Sequence, residues 1–388
     1  MQRIIRKKES VASLRRKRSE QSLAASTTAS DQKPREEKSA PYRNPSYRIL
    51  LQTRGGLYMD KSEQGISDAS KTLCRNLLER KYVTPENTIF GDNVFDKACR
   101  KVQDKNEARI LQDITRLLVP SAETLATLGD ERLAILAESV NEGWNNCISV
   151  SNPRPQPDYA AAFGRSAFSD DQLNKLRPSL GDPGYLSMFM ATYYMHFPFL
   201  TCEVKCGTTG LDIADRQNGH SMAVAVRGIL ELFRLGKKES DLHGEILTFS
   251  ISHDHRTVRL YGYYPVMDGN KTEIYRHPIH TFDFTALDGK EKWTTYNFTV
   301  GVYIYSLSLI ERIRSIIDDL PPDFSLENFQ NPEPQTSEHS GLSQQLGNQV
   351  LVQTLGEQDS ESGNGDLEPI TPDTSVRSNS RKKKTKRP

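Results

Sequence analysis

No uninterrupted apolar run in the chain reaches the roughly eighteen residues that a membrane-spanning helix needs, so no membrane partner is expected. Cysteine is scarce: Cys74, Cys99, Cys147, Cys202 and Cys206 are scattered and odd in number, which argues against a disulfide scaffold and fits a reducing compartment. Cys202 and Cys206 have no second Cys or His pair to complete a zinc clip, so they read as buried strand thiols. Also missing are the loops G-x-x-x-x-G-K-[ST] and G-x-G-x-x-G, the serine elbow G-x-S-x-G and the zinc helix H-E-x-x-H. Nucleotide hydrolysis, dinucleotide redox chemistry, serine hydrolysis and zinc proteolysis are thereby disfavoured. No apolar export signal opens the sequence.

What is present is unevenly charged. The 388 residues carry 51 Lys and Arg against 50 Asp and Glu. Residues 1–40 hold 11 of the bases and 5 of the acids, and RKKKTKR at 381–387 holds 6 further bases. The remainder has 34 bases against 45 acids, an acidic body that does not advertise a broad surface for polyanions. Residues 1–45, rich in Ser, Thr, Lys and Glu, are expected to be a disordered basic arm. Residues 331–388, acidic and rich in Gln, Gly, Ser and Pro, are expected to be a flexible tail with a basic tip. The two basic clusters suit a nuclear import receptor, so the nucleus is the expected address, with mitochondrion and cytoplasm as alternatives.

Residues 46–330 are expected to be one globular domain. KTLCRNLLERKYV, ARILQDITRLLV and DERLAILAESVNEGWNNCI place apolar residues at helical intervals, and NPRPQP stops the third. PDYAAAF, HFPFLTCEVKC, EILTFSISH, TVRLYGYYPV, EIYRHPIHTFDF and YNFTV read as strands separated by DHR, DGN and DGK turns. LDIADRQNGHSMAVAVRGILELFRL is a long helix with Met222, Val226, Ile229, Leu230 and Phe233 on its apolar face, and SLSLIERIRSIIDDL is a last helix ending at the prolines. The expected class is therefore a mixed α/β domain: helices, then a mixed sheet with helices against it.

FLTCEVKC admits an acid and a base into an apolar strand. Strand side chains alternate, so Glu203 and Lys205 share one face while Cys202, Val204 and Cys206 take the other. Charges in such a strand need partners, either as structure or around a metal ion. An E-x-K triplet alone carries no weight; its surroundings do. Asp158 follows Pro157 at the head of another strand, Arg216 and Gln217 fall in the first turns of the long helix, and Glu138 and Glu142 sit one turn apart on an expected helix. His253 and His255 in SHDHR have metal-ligand spacing but no third ligand nearby, and read first as hairpin residues. His277, His280, Tyr261, Tyr263 and Tyr264 likewise read as edge and core residues.

With PD at 157–158 and EVK at 203–205, this series resembles the PD-(D/E)XK nuclease superfamily, and the longer text over roughly residues 130–320 resembles a fungal family sharing a domain of unknown function. The superfamily usually brings its two motifs closer together; here 45 residues separate Asp158 from Glu203, including the helix-like LSMFMATYYMHF. The resemblance implies a restriction-endonuclease-like core and Mg²⁺-dependent cleavage of DNA or RNA. Asp158 and Glu203 would hold the metal with the Val204 carbonyl, Lys205 would act on the attacking water, Gln217 would position a water or phosphate, and Glu142 would serve a second metal or its water. The rival expectations are a protein that keeps the fold for binding or scaffolding without turnover, and a host-directed effector. Nothing in the sequence fixes the oligomeric state.

Overall fold

The computed structural model of the protein describes residues 40–180, 186–207, 209–269 and 271–321. Residues 1–39 of the expected arm and the whole expected tail, with its basic tip, lie outside the described residues.

Among the described residues an eight-stranded mixed sheet forms the centre. Its strands are β1 (Leu57–Tyr58), β2 (Leu136–Val140), β3 (Tyr159–Phe163), β4 (Met190–Thr192), β5 (Met195–Val204), β6 (Thr248–His253), β7 (Thr257–Asp268) and β8 (Lys271–Asp283). They run in the order β1-β8-β7-β6-β5-β3-β2, with β4 beside β5. The β1–β8 and β5–β6 pairs are parallel and the other pairs antiparallel. All ten residues of β5 are buried. Both faces of this strand are covered, which is why its sequence is almost continuously apolar.

The helices are α1 (Tyr47–Gly55), α2 (Asp68–Glu79), α3 (Phe95–Val102), α4 (Glu107–Ile110), α5 (Arg116–Leu118), α6 (Ala122–Thr127), α7 (Asp170–Leu180), α8 (Leu211–Leu235), α9 (Ala286–Gly289) and α10 (Thr294–Asp319). α8 links β5 to its parallel neighbour β6 and lies on one face of the sheet. Thr201 donates to Asn218 Oδ1, and Asn218 Nδ2 donates to the Ile251 carbonyl and Ser252 Oγ. Met222, Val226, Ile229, Leu230 and Phe233, the expected apolar face of α8, are all buried. α10 covers the other face, where Phe298 meets Phe249 edge-on at 5.8 Å and the Tyr303 and Tyr159 hydroxyls lie 2.7 Å apart.

Four expectations are corrected. The helix expected from Asp130 is a short helical turn, Glu131–Ile135, followed by strand β2. Its backbone groups pair along β3 from Leu136↔Phe163 to Val140↔Tyr159, and that pairing overrides the helical spacing of its apolar residues. LSMFMATYYMHF is not helical: it supplies β4, a turn and the start of β5. YNFTV is no strand but part of the first turns of α10, where Phe298 and Thr299 are buried against the sheet side of the core. The end of the expected arm, residues 40–45, includes Tyr42 at 4% exposure, packed into the core.

Candidate functional site

The register of β3 on β5 sets Tyr159 opposite Cys202, Ala160 opposite Thr201 and Ala161 opposite Leu200. One residue further along, Asp158 stands across from Glu203. Alternation puts Asp158 and Ala160 on the same face as Thr201 and Glu203, the face that α8 covers. Side chains directly opposite on antiparallel strands have Cβ atoms about 5 Å apart, and the register continued one residue beyond Tyr159 brings Asp158 to that position relative to Glu203. Asp158 Oδ2 accepts the Val204 amide at 2.8 Å, which ties the end of β3 to the E-x-K strand. The 45-residue separation thus leaves the two strands paired, and β4, in the connection between them, pairs with β5.

Lys205 completes the cluster. Its backbone amide continues the parallel pairing by donating to the His253 carbonyl at 2.9 Å, and its Nζ donates to the Val204 carbonyl at 2.7 Å. The ammonium lies 3.7 Å from Glu203 Oε2 and 3.8 Å from Glu107 Oε1 of α4. Asp158 and Glu203 are each 1% exposed and Lys205 is 4% exposed. The charges are felt on the reverse of β5. Burial, then the negative charge of Asp158 and Glu203, push the Cys202 thiol well above its ordinary range, with Lys205 opposing.

Gln217 stands in the second turn of α8, one residue from the sheet-facing Asn218, and is buried. Its Oε1 accepts no hydrogen bond among the described residues. One turn on, His220 is the hub of a polar network. Its Nδ1 meets the Tyr42 hydroxyl at 2.8 Å and the Tyr47 hydroxyl at 3.2 Å, and its Nε2 meets Ser149 Oγ at 3.0 Å. Burial pushes its pKa down to about 3, so the ring is neutral. Tyr42 is further held by Arg216, whose Nε donates to the Tyr42 carbonyl at 2.6 Å. Burial, Tyr47 and the nearby Glu203 carboxylate all raise the Tyr42 pKa. Gly219 permits this N-terminal packing. A Cβ there would stand 2.7 Å from Met59 Sδ and 3.2 Å from Leu51 Cδ1.

The expected helix pair Glu138 and Glu142 is separated. Glu138 lies on β2, where it accepts from Ser121 Oγ, the Ala122 amide and the Tyr159 hydroxyl, binding the N-terminus of α6. Glu142 sits in the loop after β2 and accepts from the Tyr194 hydroxyl. Neither shares a helix face with the other. His253 closes β6 with its ring between Thr115 Oγ1 at 2.9 Å and the Asp254 carbonyl at 2.8 Å. His255 is in the turn before β7. The hairpin reading of SHDHR therefore describes both.

Two facing carboxylates offer the hard oxygens that Mg²⁺ takes, so the donor chemistry fits such an ion. Among the described residues no group of three or more His, Cys, Asp and Glu is arranged to hold a metal. Backbone carbonyl and water would have to supply the rest of the shell, and the Val204 carbonyl already accepts from Lys205. The sequence carried no signal for Glu107, nearly a hundred residues from Lys205. Asn218 and His220 had one: N-G-H interrupts an apolar helix with groups that burial obliges to find partners.

Residues 94–317 match a family described as a domain of unknown function, DUF7924. No match is found among curated proteins. The matched span contains Asp158, Glu203, Lys205 and Gln217 and begins well before residue 130, taking in α3 to α6. The chain belongs to this family.

Proposed function

We propose that this DUF7924 protein is a nuclease-like enzyme of the PD-(D/E)XK type that hydrolyses DNA or RNA phosphodiesters with Mg²⁺. The observation that carries the reading is the β3–β5 register, which sets Asp158 across from Glu203 beneath α8 with Lys205 two residues on. The order acid strand, E-x-K strand, helix with Gln217, parallel strand supports it. Asp158 and Glu203 would hold the ion. Mg²⁺ supplies charge stabilisation at a phosphate and lowers the cost of forming a hydroxide. Lys205 holds its Nζ beside Glu203, where it orients a water or steadies charge on a phosphate oxygen. Gln217 has an acceptor ready for a water, and Glu142, engaged by Tyr194, is given no part. The basic clusters at 1–40 and 381–387 support a nuclear address through an import receptor.

A second reading, a fold kept for binding or scaffolding without turnover, is favoured by burial: Asp158 and Glu203 are 1% exposed, and a phosphodiester must reach them. Cleavage assays of the full chain separate the two, using single- and double-stranded DNA and RNA with Mg²⁺ or with EDTA. Mg²⁺-dependent cleavage abolished by Asp158→Ala supports the enzyme. Absence of cleavage on all four substrates, together with Mg²⁺ binding unchanged in Asp158→Ala, removes it.

A further inference from the structure

The C-terminal half of α8 bears a polar stripe on a helix that is otherwise packed away. Every residue from Gly219 to Val226 is buried, as are Gly228, Ile229 and Leu230, and Arg227 interrupts the run half-buried. Arg227, Glu231 and Arg234 stand four and seven residues apart and so share one helix face. That face, Arg54 in the last turn of α1 and Thr272 near the start of β8 line a cavity of about 270 Å³. Its walls are held by backbone. Gly56 closes α1 in the left-handed conformation, at a φ of 65°, and its carbonyl accepts the Ile274 amide of β8 at 2.8 Å. On the other side Gly228 lets the chain at Met188 lie against α8, where a Cβ would stand 2.4 Å from the Met188 carbonyl oxygen.

Three guanidinium groups and one carboxylate line this space. Glu231 is engaged by Arg234, whose Nη1 donates to it at 2.8 Å and whose Nε donates to Glu239 at 2.9 Å. Arg54 and Arg227 make no hydrogen bond or ion pair among the described residues. Arg54 and Arg234 stand in the last turns of their helices, where a cation suits the C-terminal dipole; Arg227 lies in the middle of α8 and has no such reason to be there. A guanidinium has five N–H donors and no acceptor, and withdrawing it from water without an acceptor is costly. We propose that this cavity binds a phosphate group, gripped by the forked donors of Arg227 and Arg54 with the Thr272 hydroxyl beside them, and that its ligand is inorganic phosphate or a small phosphate monoester. The guanidinium fork matches phosphate oxygens in pairs. The volume suits a compact anion, since larger organic ligands occupy pockets of about 300 Å³ and upward. Arg227 is ten residues beyond Gln217, about 15 Å along the helix axis. The phosphate site therefore goes beyond the nuclease-like reading and stands whether or not Asp158 and Glu203 hold a metal.

Calorimetric titration of the full chain with inorganic phosphate and with glycerol 3-phosphate, beside Arg227→Gln and Arg54→Gln, tests the site. EDTA is present throughout, and salt at about 0.15 M screens contacts to exposed basic chain. One site per chain is expected in wild type, weakened about tenfold or more in Arg227→Gln and severalfold in Arg54→Gln. Tighter binding of glycerol 3-phosphate identifies an ester as the ligand, and equal affinities identify the free anion. Saturating phosphate should raise the thermal midpoint of wild type and leave that of Arg227→Gln in place. Should Arg227→Gln fail to fold, Arg54→Gln, at an exposed position, gives the same comparison. Wild type that binds neither probe overturns the site, as do variants that bind both as wild type does. Because no metal and no turnover enter the measurement, its failure and the failure of the nuclease-like reading are separate results.

Discussion

Replacing Lys205 by Met is the sharpest perturbation of the buried cluster. The ammonium is 3.7 Å from Glu203 and 3.8 Å from Glu107, donates to the Val204 carbonyl, and is 4% exposed. Met keeps the length and the apolar stem but removes the ammonium beside Glu203. Breaking a buried ion pair by removing one partner costs about 3–5 kcal/mol. Glu107 is 30% exposed and solvated, so a loss near the lower end, about 3 kcal/mol, is expected. Urea unfolding of wild type and Lys205→Met at neutral pH, with m unchanged, measures it. A divalent cation between the carboxylates relieves the repulsion: at a hundred times its Kd, Mg²⁺ returns about 2.7 kcal/mol to the variant. A deficit under about 1 kcal/mol refutes the claim that the charges are mutually dependent, and a deficit that Mg²⁺ leaves untouched refutes the shared space.

Acid sensitivity follows from two buried imidazoles. Burial pushes His220 down to about 3 and His196 to about 4, against about 6.5 in the unfolded chain. Between those values only the unfolded state binds the protons, so stability is full above about pH 6.5 and falls as pH drops, by about 2 kcal/mol from His220 alone by pH 5. Urea midpoints across that range check it, and a slope identical in His220→Gln would show that the ring is not the source. Gly228→Ala drives a Cβ to 2.4 Å from the Met188 carbonyl oxygen; a loss of about 2 kcal/mol or more is expected despite the better helix former, and a thermal midpoint equal to wild type contradicts the close approach. Tyr303→Phe removes the bond to the Pro120 carbonyl at 2.7 Å and one of the two partners of the Tyr159 hydroxyl, leaving it Glu138 alone. It should cost about 1–2 kcal/mol by chemical denaturation, and a neutral result would deny that network a structural role.

Much of the architecture was legible because local and tertiary signals agree. α8 spans Leu211–Leu235 as its periodicity indicates, with Gly210 before it and Gly236 after it. β5 reads as a strand because both of its faces are covered. β2 was not legible: LAESV has helical spacing, and only β3 beside it makes it a strand. The placement of YNFTV in α10 shows the reverse, β-branched and aromatic residues held in a helix by the core they pack against. Of the candidate residues, strand alternation brings Glu203 to the side of Lys205, but the facing of Asp158 and Glu203 depends on register, which no single strand encodes. The hold of Tyr42 on His220, 178 positions apart, had no local trace.

Titration of the full chain with Mg²⁺ by calorimetry, beside Asp158→Asn and Glu203→Gln, addresses most directly whether carboxylates from β3 and β5 hold one divalent ion. The account predicts one Mg²⁺ per chain in wild type and loss of that binding in each variant. Wild type that takes up no Mg²⁺, or variants that bind it as wild type does, would contradict it.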